Sequence, residues 1–188
     1  MRYFPKIRGE RLYLSPLHMG DVETYTRWLN DSSVTDGLGF TRQVVTLESE
    51  RDALTRLMEE DHNFAIVQAE DDLLLGSIGF HDIHPISRSA MCGLFIGEEE
   101  NRNMGYGTEA LILLLRYGFE TLNLHNVMLK VFSFNQRAIA AYKKVGFHQV
   151  GRRREAYFLH GQYHDDVFMD VLEAEFFEKH GRGSHISL

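Results

Sequence analysis

Cysteine is almost missing from this chain. Cys92 is the single one in 188 residues, which excludes an intramolecular disulfide and any cysteine-rich zinc module. It sits in the apolar run Met91-Cys92-Gly93-Leu94-Phe95-Ile96, where a small core residue is expected rather than a nucleophile. Proline is scarce too. Pro5, Pro16 and Pro85 form no linker-like cluster, so one continuous domain is expected over residues 1–180, with 181–188 as a tail. No stretch reaches the ~18 uncharged apolar residues of a membrane span. The opening Met1-Arg2-Tyr3-Phe4-Pro5-Lys6 has no apolar core of the signal-peptide kind. A soluble cytoplasmic protein with no membrane partner is the expectation. Positive charge is in deficit: Lys and Arg number 20 against 27 Asp and Glu, a net charge of −7. That balance lacks the footprint of a nucleic-acid binder. It favours cationic partners, and it also serves solubility. Zinc-ligand spacing is absent as well. His81 and His84 are three apart on an expected strand and face opposite sides, so no metal is expected.

What the chain does have is an ordinary globular composition, 44% hydrophobic and 12% aromatic. Residues 10–14 alternate polar and apolar and predict a first strand ending near Pro16. Asp21 is placed to cap a helix with Val22, Tyr25, Trp28 and Leu29 on one face, closed by Asp31-Ser32-Ser33. Thr46 opens a second helix, with Leu47, Leu54, Leu57 and Met58 inward. Strands follow at 63–67, 73–80 and 91–96, the first two as a hairpin. The strongest helical pattern runs over 105–122, then a strand over 126–132. Asn135 caps a helix stopped by Gly146, two strands close around the turn His160-Gly161-Gln162, and a short helix covers 174–180. This order predicts an α+β sandwich, with helices on both faces of a largely antiparallel sheet.

The informative segment is Arg102-Asn103-Met104-Gly105-Tyr106-Gly107-Thr108, between a strand and the long helix. Its glycines let backbone approach a ligand. The first N–H groups of a helix lack internal partners and carry the positive end of the dipole. Together they form an anion site suited to pyrophosphate, and Arg102 adds a planar cation. Three readings compete: a tight turn without ligand, a dinucleotide fingerprint and an acyl-coenzyme A site. Gly105-x-Gly107-x-x-Ala110 matches G-x-G-x-x-A, but no ribose-binding acid follows where Lys130, Val131 and Phe132 stand. No Lys-Ser/Thr follows the glycines, so it is not a P-loop.

Arg102-x-x-Gly105-x-Gly107 resembles the R/Q-x-x-G-x-G/A motif of the GNAT N-acetyltransferase superfamily. Farther on, Asn135-Gln136-Arg137-Ala138-Ile139-Ala140-Ala141-Tyr142-Lys143-Lys144-Val145-Gly146-Phe147 resembles that superfamily's N-x-x-A-x-x-x-Y-x-K-x-G-F signature. Gly161-x-Tyr163-x-Asp165 with Met169, and the opening Arg8-Gly9-Glu10-Arg11-Leu12-Tyr13-Leu14, are similar to its RimJ/RimL-like branch. Tyr117-Gly118-Phe119 and Leu122-Asn123-Leu124 resemble bacterial spermidine N-acetyltransferases. The resemblance implies a three-layer sandwich whose mixed, mostly antiparallel sheet is splayed at its centre. It implies acetyl transfer from acetyl-CoA directly to a primary amine: a protein N-terminus, a polyamine or another small amine.

The resemblance also assigns residues. Backbone of Leu94, Phe95 and Ile96 holds pantetheine, with Gly97 marking the bulge that opens the strand. Arg102, Asn103, Met104, Gly105, Tyr106, Gly107 and Thr108 hold pyrophosphate. Asn135, Ala138 and Tyr142 flank the pantetheine arm, and Tyr142 protonates the leaving thiolate. A thiol near ~8.5 leaves better beside a phenol near ~10. The acceptor amine must first lose a proton, and the sequence names no base. Glu98 lies just past the strand. Trp28, Tyr157, Tyr163 and Asp165 are candidates for the acceptor cleft, and a homodimer through edge strands is compatible with the order of elements. A non-catalytic acyl-CoA-binding regulator is the alternative.

Overall fold

A computed structural model describes residues 2–182, so the tail residues 183–188 lie outside it. The chain forms two compact units, one from residues 2–79 and 94–113, the other from 80–93 and 114–182.

In the first unit β1 (Ile7–Arg8) and β2 (Leu12–Pro16) make a hairpin, and β2 pairs antiparallel with β3 (Asn63–Gln68). Phe64, Ala65, Ile66 and Val67 of β3 are all buried, which suits a continuous apolar run covered on both sides. Asp72, at φ 59, turns the chain into β4 (Leu74–His84). The β3–β4 register shifts between Ile66 and Val67, which pair with Gly76 and Leu74, so Leu75 is the extra residue of a bulge. The next strand, β5, is Ser89–Ile96.

Three helices of this unit depart from the sequence pattern, each for a local reason. Helix α1 (Val22–Leu29) buries Val22, Tyr25 and Trp28 as expected, but Asp21 makes no capping bond. Its carboxylate is 2% exposed, pairs with Arg2 and accepts from the Tyr3 hydroxyl at 2.9 Å. A buried charge takes a cation and a phenol before a helix cap. Asp31-Ser32-Ser33 does not merely close α1. Asp31 accepts from Ser33 N at 2.8 Å and caps α2 (Ser32–Leu38), which ends at Gly39 with φ 80. Turn and N-cap draw on the same residue types, so the tripeptide serves both.

Thr46 and Ser49 form the capping box of α3 (Leu47–Glu59). Of its four expected inward residues only Leu54 is buried, while Leu47, Leu57 and Met58 are exposed. Glu50, one turn before Leu54, is 5% exposed, and its burial pushes the carboxyl up to about 7. The unfolded chain has Glu50 ionised above its ordinary ~4.3, whereas the folded chain holds its proton until near 7. Folding is therefore opposed progressively as pH rises through this interval. Glu50→Gln should stabilise the protein by about 2 kcal/mol at pH 8 and by little at pH 4.5. Denaturant melts at both pH values check this; equal gains at the two would refute it.

In the second unit β6 (Asn126–Phe132) runs parallel to β5, with Ser89, Ala90 and Met91 opposite Asn126, Val127 and Met128. The ladder ends there, three pairs long, the splay that the family resemblance implied. Antiparallel strands β7 (His148–Leu159) and β8 (Gln162–Leu172) turn at His160 and Gly161, with φ of 47 and 81, as a two-residue hairpin requires. Helix α4 (Tyr106–Glu120) precedes β6, α5 (Gln136–Val145) follows it, and α6 (Glu173–His180) follows β8. The strand order is β1-β2-β3-β4-β5-β6-β8-β7, a mixed sheet in an α+β fold.

Candidate cofactor and acceptor residues

The first unit holds the turn before α4. Asn103 and Gly105, at φ 64 and 86, bracket Met104 with left-handed backbone. Such alternation turns successive N–H groups to one side and makes a concavity for an anion. Among the described residues the backbone N–H groups of 103–108 meet no acceptor; Glu109 N is the first to bond, to Gly105 O at 3.0 Å. A side chain at Gly107 would approach Leu94 Cδ1 at 3.2 Å, so the glycine keeps helix and strand close. Unpaired donors at a helix start, on a bare backbone, fit a pyrophosphate.

Arg102 does a different job from the one its motif suggests. Its guanidinium donates to Gly97 O at 2.6 Å, Ile96 O at 3.3 Å and Ser33 O at 3.0 Å. It thus straps the end of β5 to α2. Gly97 lies one residue past β5, and a side chain there would come within 2.0 Å of the Trp28 ring. That approach makes Gly97 a packing glycine at the end of β5. Its N–H donates to Leu75 O at 2.9 Å, which ties the residue after Leu94, Phe95 and Ile96 to β4.

Trp28, expected at the acceptor, is 2% exposed and packs edge-on against Phe95 at 6.0 Å. Its indole N–H donates to Glu98 Oε1 at 2.9 Å, and Arg27 pairs with the same oxygen at 2.5 Å. Trp28 is a core residue because its only polar atom is already satisfied. Those two donors hold the Glu98 carboxyl below the ordinary carboxylate range. An ionised, ion-paired Glu98 is a weak proton acceptor.

The second unit holds the other signature. Asn135 Oδ1 accepts from Ala138 N at 3.1 Å and caps α5, as its position in the motif requires. Gly146, at φ 126, ends the helix. Tyr142 is partly buried beside Phe147 at 6.0 Å, and its hydroxyl has no hydrogen-bond partner among the described residues. Burial first, and the nearby Cys92 second, push this phenol above its ordinary value. Burial also pushes the Cys92 thiol up to about 12, so it carries no nucleophilic thiolate near neutrality.

Tyr157, Tyr163 and Asp165 lie together on the β7–β8 hairpin. Tyr157 stacks on Phe132 at 4.2 Å, and Tyr163 is 65% exposed against Phe158. Asp165 is already engaged: Oδ1 accepts from Glu155 N at 2.8 Å, and Oδ2 lies 3.3 Å from Arg152 Nε. Glu155 is at φ 51, inside the β7 irregularity, so Asp165 holds a strained bend in place. No three His, Cys, Asp or Glu side chains among the described residues are grouped to hold a metal.

Residues 11–148 match the family model of the acetyltransferase (GNAT) domain. The chain is 27% identical over 183 residues to the "Probable N-acetyltransferase YjcK" of Bacillus subtilis, covering 90% of this chain and 98% of that one. It is 29% identical over 119 residues to the spermidine N(1)-acetyltransferase of Vibrio cholerae, covering 63% and 68%. The solved spermidine N-acetyltransferase of Vibrio cholerae, in complex with CoA and spermine, superposes with a TM-score of 0.80 at 23% identity, over 90% of this chain and 99% of that one.

Proposed function

The chain belongs to the GNAT acetyltransferase family, and from that membership we propose that it acetylates a primary amine of a small cationic acceptor, a polyamine foremost. It is an acyl-CoA-dependent N-acetyltransferase with acetyl-CoA as co-substrate. Acetyl-CoA supplies an activated thioester carbonyl to the attacking amine.

The chain's own residues hold, polarise and protonate. Unpaired N–H groups of residues 103–108 take the pyrophosphate, and this run of donors carries the proposal. Backbone of Leu94, Phe95 and Ile96 lines the pantetheine, where an N–H donor aimed at the carbonyl oxygen would stabilise developing charge. Asn135 and Ala138 open the helix that carries Tyr142, whose hydroxyl meets the departing sulfur. The net charge of −7 and the likeness to spermidine N(1)-acetyltransferase support a polyamine acceptor. Tyr157 and Tyr163 remain its proposed aromatic contacts. A RimJ/RimL-like role on a protein N-terminal amine is the second reading, supported by Gly161-x-Tyr163-x-Asp165. A cytoplasmic homodimer through β1 or β7, which end the strand order, completes the proposal.

Calorimetry with acetyl-CoA, beside NAD⁺, tests the cradle on wild type and Gly107→Glu. The variant forces a bulky, charged side chain against Leu94 and Ile96 and adds negative charge to the turn proposed to hold phosphate, and about thirtyfold weaker binding is expected, roughly 2 kcal/mol. Wild type should ignore NAD⁺. No acetyl-CoA binding by the folded wild type would make the turn purely structural.

A further inference from the structure

Arg11 belongs to neither the glycine turn nor the Asn-led signature, yet its guanidinium lies against the glycine turn. Nε donates to Glu109 Oε2 at 2.9 Å, and Nη1 donates to Met104 O at 2.8 Å. Its central carbon lies over the Tyr106 ring, 5.0 Å from the centroid. Nη2 has no acceptor among the described residues. It stands where a Gly105 side chain would begin, 3.1 Å from that position, and Gly105 at φ 86 excludes such a side chain anyway. The Arg11 side chain is 47% exposed. Two bonds and a ring therefore fix a planar cation against the same turn whose backbone N–H groups are unpaired.

The opposing carboxylate faces away from that edge. Glu109 Oε1 accepts from the backbone N–H of Glu10 at 3.0 Å and of Arg11 at 2.8 Å. Its charge is spread over donors on the β1–β2 turn, while Nη2 is left for another anion. Arg102, the arginine of the motif, has its guanidinium on carbonyls of Ile96, Gly97 and Ser33. Of these two arginines, Arg11 is the one with a donor edge that meets no acceptor among the described residues.

We propose that Arg11 binds a phosphate of the acyl-CoA co-substrate through its Nη2 donors, as the side-chain member of the turn's anion cradle. This rests on the reading of residues 103–108 as the phosphate site. A fixed guanidinium presents a planar donor edge to phosphate, which an ammonium does not. The pyrophosphate and the 3′-phosphate are both within this chemistry.

The test measures binding of CoA, 3′-dephospho-CoA and pantetheine to full-length wild type, Arg11→Gln and Arg11→Lys. Pantetheine, which is uncharged, is followed by ligand-detected NMR. Arg11→Gln should bind CoA about tenfold more weakly, and the deficit should shrink in high salt. Pantetheine binding should not change, and Arg11→Lys should recover part of the loss. An equal deficit with 3′-dephospho-CoA would place Nη2 on the pyrophosphate; its disappearance would place Nη2 on the 3′-phosphate. Equal CoA binding by wild type and Arg11→Gln overturns the proposal while leaving the cradle intact. Parallel loss of CoA and pantetheine with a lowered Tm in both variants also overturns it, because Arg11 would then only fasten β1–β2 to α4. Absence of CoA binding in wild type overturns the cradle itself.

Discussion

Tyr142→Phe is expected to lower kcat at least about a hundredfold, within the range for removal of a positioned acid, and to leave acetyl-CoA affinity unchanged. The substitution deletes one oxygen and keeps the ring that packs beside Phe147. The hydroxyl is unpartnered among the described residues, so no internal hydrogen bond is lost with it. The Tyr142 phenol lies above its ordinary value, through burial and then Cys92, and so stays protonated across any practical assay range. Two consequences follow for the pH profile. The wild-type rate must show no alkaline fall from Tyr142 ionising below its ordinary ~10, and the variant must keep the shape of the curve while dropping in height. A thiolate of pKa ~8.5 does not fully deprotonate such a phenol. In the proposed role Tyr142 would thus stabilise the leaving sulfur chiefly as a hydrogen-bond donor, which puts the expected effect at the lower end of acid catalysis. Steady-state kinetics with acetyl-CoA and spermidine decide it. An unchanged kcat would make Tyr142 a packing residue of α5.

Gly76→Ala should destabilise the protein by about 4 kcal/mol, among the largest single-residue effects, and lower Tm by roughly 10 °C for a chain of this size. A side chain at Gly76 would start 1.9 Å from the Phe95 carbonyl oxygen and 2.9 Å from its carbon. Both obstacles are backbone, so no rotamer change relieves the clash. The same carbonyl belongs to the strand proposed to line the pantetheine, so residual folded protein should also bind acetyl-CoA more weakly. Gly93→Ala is the control, because nothing lies within 4 Å of the added carbon. A shift at Gly76 no greater than at Gly93 would show that β4 and the end of β5 part easily.

Much of the local structure could be read from residue types alone. Asn135 caps α5 and Gly146 ends it because their chemistry serves those positions in any context. β6 was legible to the residue, 126–132, since its apolar run is bounded by polar groups. The inner face of α3 was not. Period alone made Leu47, Leu57 and Met58 as eligible as Leu54, and nothing in the pattern allowed a buried Glu50. Asp31 read as an ending because capping a start and closing a turn use the same oxygen geometry.

The candidate site divides in the same way. By itself the sequence determined the family and its chemistry, because a glycine turn opening a helix and an Asn-led helix bearing Tyr142 are local patterns written in consecutive residues. Only the tertiary structure decided which side chains remained available. Trp28 and Glu98 satisfy each other, Asp165 holds a bend in β7, Arg102 is taken by carbonyls, and Arg11 arrives beside Gly105 from the β1–β2 turn. A donor's availability depends on every acceptor within about 3 Å, and which acceptors come that close is decided by residues far apart in the chain.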